Sequence, residues 1–235
     1  KKEEEEEEGK TLEMVTLKLF RRPTREQQEE VLAAASKRGF NYDARGGTKK
    51  LDDEEEVKAF KSNGYRVCSR KVRVGEGWGT YRKAKSKLKD WRQVQLGWTS
   101  VLPDTPVKKG AEVCLCARVL GVWIMNPLKT VYVQTKRTRM PIVNLVPMLP
   151  LAYNSAQFSH AEGTMKGHLL AGEERFSVSI DKKDKSVHYQ VSSISKPDHI
   201  LSRVGYPLVC LLQSNFIRQS TRSFQRELKE ESGKN

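Results

Sequence analysis

Apolar and polar residues change places with two distinct periods along this chain. Over Tyr65–Val74 the alternation is two-residue and β-rich, which predicts a half-buried strand. Over residues 80–93 the period becomes helical: Tyr81, Ala84, Leu88 and Trp91 fall on one face, and Lys83, Lys85, Lys87, Lys89 and Arg92 cover most of the rest. Strand patterns return at Gly97–Leu102, Ala111–Val122, Lys129–Thr135, Phe158–Met165, Glu173–Ile180 and Val187–Ile194, with Asp181–Lys185 as a polar hairpin loop between the last two. Pro197 opens a short helical turn, Gly205 interrupts it, and Pro207 suits the first position of a long helix. Along that helix Leu208, Leu212, Phe216, Ser220, Phe224 and Leu228 recur every four residues. It should span about 22 residues, roughly 33 Å.

Upstream the signals are sparser. Thr24-Arg25-Glu26-Gln27 reads as a capping box, Val31, Leu32 and Ala35 form a modest stripe, and Gly39 after Lys37-Arg38 is a stop. Residues 41–63 read as a mostly exposed connection with one short helix. The first ten residues, KKEEEEEEGK, form a like-charge block that cannot build a core, and Met14 is the expected natural start. The chain therefore divides into a disordered acidic extension (1–13), an N-terminal helix with its connecting segment (14–64), and a domain over 65–230. The element order of that domain is strand, helix, about six strands in hairpin succession, then a long amphipathic helix. It predicts an α+β fold in which a curved antiparallel sheet wraps the C-terminal helix, the helix-grip arrangement of the START and Bet v 1 type.

Charge narrows the partners. The 235 residues carry 43 Lys+Arg against 29 Asp+Glu. The excess sits beyond residue 60, where 30 basic residues face 13 acidic ones. A basic body favours an anionic partner: nucleic acid, a membrane surface or an acidic protein. No RRM, KH, helix-turn-helix or zinc-finger signature supports nucleic acid. The basic outer face of the 80–93 helix and the preceding strand makes Arg70, Arg73, Lys83, Lys87 and Lys89 candidates for an anionic membrane surface. No run of 18 apolar residues exists, and the start lacks the apolar segment of a secretory signal. Four cysteines without framework spacing point to a reducing compartment.

Few residues suggest chemistry. Gly75-x-Gly77-x-Gly79 lacks both the dinucleotide fingerprint, since Thr80 stands where a glycine is needed, and the Lys-Ser/Thr of a phosphate loop, so it reads as a turn. Cys114 and Cys116 share one strand face without a second pair or histidine at zinc spacing, and read as buried hydrophobes. His160, His168, His188 and His199 form no ligand motif; no metal and no cofactor are expected. The informative stretch is Glu173-Glu174-Arg175-Phe176. Alternation puts Glu174 with Phe176, Val178 and Ile180 on the core face, and Glu173 with Arg175, Ser177 and Ser179 on the other. An inward carboxyl must be paired or hold its proton. Ligand-cavity candidates are Glu174, His168, Arg175, Phe176, Tyr189 and Phe216. No catalytic residue emerges, because no nucleophile–base or paired-carboxylate constellation can be assembled.

Particular runs carry a resemblance. They are Trp98 with Pro103-Asp104-Thr105-Pro106-Val107, the stretch Val122–Val133, Gly163-Thr164-Met165-Lys166-Gly167-His168-Leu169-Leu170-Ala171-Gly172-Glu173-Glu174-Arg175-Phe176, Ser195-Lys196-Pro197, Gly205-Tyr206-Pro207, and Gln213, Phe216, Arg218 and Ser220. Together they resemble the domain-of-unknown-function family numbered nineteen-ninety, or uncharacterised-protein family five-four-eight, over residues 14–228. Arg-Pro-Thr…Glu-Gln-Gln and Phe40-Asn41-Tyr42-Asp43 resemble its plant branch. The resemblance implies association with the chloroplast outer envelope, some members being candidate pores, and carries no catalytic residues. Two departures stand out: about a dozen extra residues around Arg139–Tyr153, and Phe158-Ser159-His160-Ala161-Glu162 where a glycine-rich approach to Gly163 is expected. Three functional expectations follow. The first is a non-enzymatic helix-grip protein that binds an apolar small molecule or lipid and touches an anionic envelope membrane. The second is a cation-conducting envelope pore, which the strand lengths disfavour as a monomeric barrel. The third is an enzyme using Glu174 and His168 as acid and base.

Overall fold

A computed structural model describes residues 17–19, 21–139 and 153–232. The extra segment noted above therefore lies largely outside the described residues. Strand β1 (Leu17–Leu19) precedes helix α1 (Arg25–Arg38) and helix α2 (Glu54–Ser62). Then come β2 (Arg66–Glu76), α3 (Gly77–Lys89), β3 (Thr99–Ser100), β4 (Glu112–Val119), β5 (Val122–Arg139), β6 (Tyr153–Thr164), β7 (Leu170–Ile180) and β8 (Ser186–Pro197). The chain ends in a short α4 (Ile200–Val204) and a long α5 (Tyr206–Ser232). The sheet runs β2-β8-β7-β6-β5-β4-β3, all antiparallel, and β1 takes the end of β5 that β6 leaves free. Register shifts at Arg73/Gly75 and Thr130/Tyr132 add local twist, so the long strands curl rather than lie flat.

The curled sheet holds α5 on its concave face. Phe216, Ile217, Ser220, Thr221, Phe224 and Leu228 are the buried stripe of a helix of 27 residues, longer than the periodicity alone suggests. Phe224 stacks on Tyr189 of β8 at 4.3 Å between centroids, and the Tyr189 and Ser220 hydroxyls meet at 2.8 Å. Helix α3 closes one end of the concavity with Tyr81, Ala84 and Leu88. Each such buried large side chain contributes about 1.5–3 kcal/mol. Lys87 of α3 and Arg92 both reach Glu227 of α5, at 3.0 and 2.8 Å, and tie the two helices together. Trp91 departs from the helical reading. It lies past the end of α3 with φ 56°, which turns its indole into the core, where its N–H donates to the Thr105 carbonyl at 2.8 Å.

The convex face is covered by the N-terminal segment. Thr24 and Gln27 form the expected capping box, and α1 lays Val31 and Leu32 against Cys114, Cys116, Trp123 and Met125. The two thiols are thus buried among hydrophobes, with sulfurs 4.0 Å apart. Residues 41–50 differ from the exposed connection expected of them: Tyr42, Gly47 and Thr48 are buried. They follow Phe40, which bridges to Met165 at the end of the β6 hairpin. Gly163 makes this possible, because a Cβ there would collide with the Tyr42 hydroxyl.

Candidate ligand cavity

The concavity is packed at the α3 end and hollow at the other. Between β3–β8 and the first turns of α5 lies a cavity of about 190 Å³. One wall is apolar: Val113, Leu115, Ala117, Val119 and Ile124, the inward positions of β4 and β5, with Val101 just after β3. Val209, Leu212 and Phe216 of α5 form the cover, and Trp91 and Trp98 the floor toward α3. The opposite wall carries the polar groups Glu162, Thr164, His168, Glu174, Ser193 and Ser195, which Gln213 joins from α5. An apolar chamber with a few convergent polar groups is the usual form of a small-molecule site.

The polar wall is built by register. Glu162 of β6 stands directly opposite Glu174 of β7, which stands opposite Ser193 of β8. Opposed side chains on one face lie about 5 Å apart at Cβ. Glu162 is 2% exposed and held at each oxygen by one partner: Thr130 Oγ1 donates to Oε2 at 2.8 Å, and His160 Nδ1 sits 2.8 Å from Oε1. His160 is itself enclosed by Trp91 and Phe176, at 5.1 and 5.5 Å between ring centroids. Glu174 has no hydrogen-bond partner among the described residues, and such surface as it keeps faces the cavity. Burial first, and the neighbouring Glu162 second, push its pKa up to about 8. It is therefore a neutral carboxylic acid at pH 7. Burial also holds His168 down at about 4; this neutral ring accepts the Leu170 N–H at Nδ1, 2.9 Å away.

Of the six sequence candidates, the cavity gathers Glu174, His168, Phe176 and Phe216. Two are placed elsewhere. Tyr189 is fully buried against Phe224 and Ser220, in the packed half of the core. Arg175 lies on the convex side, as its position between two inward residues requires, with Nη2 3.4 Å from Ser192 Oγ and 3.8 Å from Asp52. Its neighbour Glu173 is also convex. The Glu173 carboxylate accepts from the Tyr42 hydroxyl at 3.0 Å, the Gly46 N–H at 2.7 Å, the Thr48 N–H at 3.1 Å and the Thr48 hydroxyl. That is an anchor for the N-terminal segment. Sequence reasoning missed Glu162 and His160. Their signal was the alternation Phe158-x-His160-x-Glu162, which sets both on the face of an aromatic core residue.

The basic surface candidates also separate. Arg70, Lys83 and Lys89 are exposed, and Arg73, exposed too, pairs with Glu76 at 2.9 Å. Lys87 is removed from that surface: its side chain is 14% exposed and held by Glu227.

Comparison with known proteins places the chain. Among solved structures it is similar to a START superfamily protein from Mycobacterium smegmatis, with a TM-score of 0.42 and 14% identity over 70% of this chain and 97% of that one. It is also similar to Ara h 8.0201, with a TM-score of 0.42 and 10% identity over 71% and 99%. A UPF0548 protein of Arabidopsis thaliana is 37% identical over 207 residues, 85% of this chain and 92% of that relative. One of Dictyostelium discoideum is 26% identical over 209 residues, 86% and 91% of the two chains. The profile described as Domain of unknown function (DUF1990) matches residues 53–223, and with these relatives it shows that the chain belongs to the DUF1990 (UPF0548) family.

Proposed function

We propose that this protein binds a small, mainly apolar molecule in the cavity under α5, without transforming it. The observation that carries the reading is the cavity of about 190 Å³, walled on one side by six aliphatic side chains. An apolar cavity of about 150 Å³ already takes up benzene, so the chamber suits a ring with a short tail. Native mass spectrometry of protein purified without detergent tests this. The expected spectrum carries a removable small-molecule adduct that is lost in Ala117→Phe, whose ring occupies the chamber. An adduct that persists in this folded variant contradicts the cavity as its site.

A second reading concerns where the molecule is collected. Ile200, Val204, Leu208 and Leu211 are exposed large hydrophobics on α4 and early α5, Val204 by 81% and Leu211 by 66%. They adjoin Val209 and Leu212, which cover the cavity. Together with the chain's basic excess, they support contact with an anionic membrane, for which the chloroplast envelope is the proposed location; Arg70, Lys83 and Lys89 lie on β2 and α3, apart from this patch. Flotation with phosphatidylglycerol vesicles, but not with neutral ones, is the expected result. Loss of flotation in Val204→Asp/Leu211→Asp would assign the contact to this face, and flotation indifferent to lipid charge would contradict the reading.

A further inference from the structure

Resting on the reading of the cavity as a ligand site, we infer that its ligand carries an amine, bound as an ammonium against the Glu162–Glu174 carboxyl pair. The two side chains oppose each other in register and both line the cavity. Glu162 is already held by Thr130 and His160, whereas Glu174 has no hydrogen-bond partner among the described residues and lines the space a ligand would fill. A wholly apolar ligand would leave that carboxyl against hydrocarbon, and an acidic one would add a third carboxyl to the wall; both are costly. An ammonium answers both groups at once. No lysine or arginine is among the described residues that line the cavity. Trp91, Phe176 and Phe216, also in the lining, supply aromatic rings beside a cation carried on a short apolar body.

The titratable and charged surroundings of Glu174 are few. Glu162 and His160 come from β6, His168 from the β6–β7 connection, Tyr189 from β8 and Cys68 from β2. From α5 the facing group is Gln213, behind which Arg66 donates to the Cys210 carbonyl, Gln213 and Ser214. Since burial and Glu162 raise the Glu174 pKa to about 8, an arriving ammonium must displace its proton. The balance is one ammonium bound as an ion pair and one proton released to solvent. Amine affinity therefore rises from pH 6 to pH 8, by at most about tenfold per unit, and that of an uncharged ligand does not.

Isothermal titration of the full chain with phenylpropylamine, phenylpropanol and propylbenzene tests this, in two buffers of different ionisation enthalpy. The amine should bind on the order of tenfold more tightly than the alcohol at pH 7, the gain expected of a charge-assisted hydrogen bond, and release one proton. In Glu174→Gln the amine and alcohol should converge to within about threefold, with a retained cooperative melt as the check that the variant folds. The pH profile of the unmodified protein makes the same test with no variant. Equal affinities for amine and alcohol, or no proton release, would overturn amine recognition and leave the cavity reading standing. Failure of all three probes to bind would overturn the cavity reading and this inference with it.

Discussion

Two adjacent glutamates show how much one residue's position decides. Glu173 points to the convex face and meets four donors from Tyr42, Gly46 and Thr48; Glu174 points inward and meets none among the described residues. Glu173→Gln puts an NH₂ where donors already converge, so it should cost about 2–4 kcal/mol. It should also expose residues 43–52 to limited proteolysis while the sheet survives. For Glu174 the consequence is pH-dependent. The unfolded chain loses this proton near pH 4.5 and the folded one near 8, so the folded state binds the extra proton between. Its contribution to stability is complete below about 4.5, declines through that window and is gone above 8. Glu174→Gln, neutral throughout, should gain on the unmodified protein as pH rises from 5 to 8, by the order of a few kcal/mol, in melts taken across that range. His168 acts in the opposite sense: its lowered pKa contributes stability above about 6.5 that is lost as pH falls toward 4. Alternation along β7 made the two glutamate faces readable from sequence. The partners were not, because they come from strands and loops whose register no local pattern states.

At the scale of elements, the two main helices and most strands were legible because their periods are clean, but residues 123–128, in the first half of β5, were not read as strand. The hollow under α5 was legible only as a possibility of the fold class. What escaped was the segment 41–50. It has no regular apolar period, yet Tyr42 and Thr48 bury themselves by hydrogen bonding to Glu173 and, through Thr48, to the Tyr132 hydroxyl at 2.9 Å. Polar docking of this kind leaves no hydrophobic signature. Its hidden requirement is Gly163, the only residue type that leaves room for the Tyr42 hydroxyl. Gly163→Ala should therefore release the segment much as Glu173→Gln does, costing about 1–3 kcal/mol, with the same new proteolytic sites. The link between α3 and α5 is more modest. Glu227→Ala, which strips Lys87 and Arg92 of their shared carboxylate, should lower stability by about 1 kcal/mol, less at high salt.

Across the whole molecule, one end of the grip is filled with aromatic side chains and the other is left open beneath α5. Phe158, Tyr189 and Phe224 belong to the filled core, while Val101, β4 and the start of β5 present mainly aliphatic residues to the space opposite them, with Thr99 and Asn126 as the polar exceptions. Net charge, which dominates the composition, says little about this interior: the basic excess lies outside and the chamber's own ionisable groups are acidic or neutral. The most direct test of a ligand chamber is a titration with propylbenzene, read through Trp91 and Trp98 fluorescence, on the unmodified protein and on Ala117→Phe. The account predicts saturable binding of one molecule per chain to the unmodified protein and none to Ala117→Phe, with the variant's melting temperature retained. Equal binding by both, or none by the unmodified protein, would contradict it.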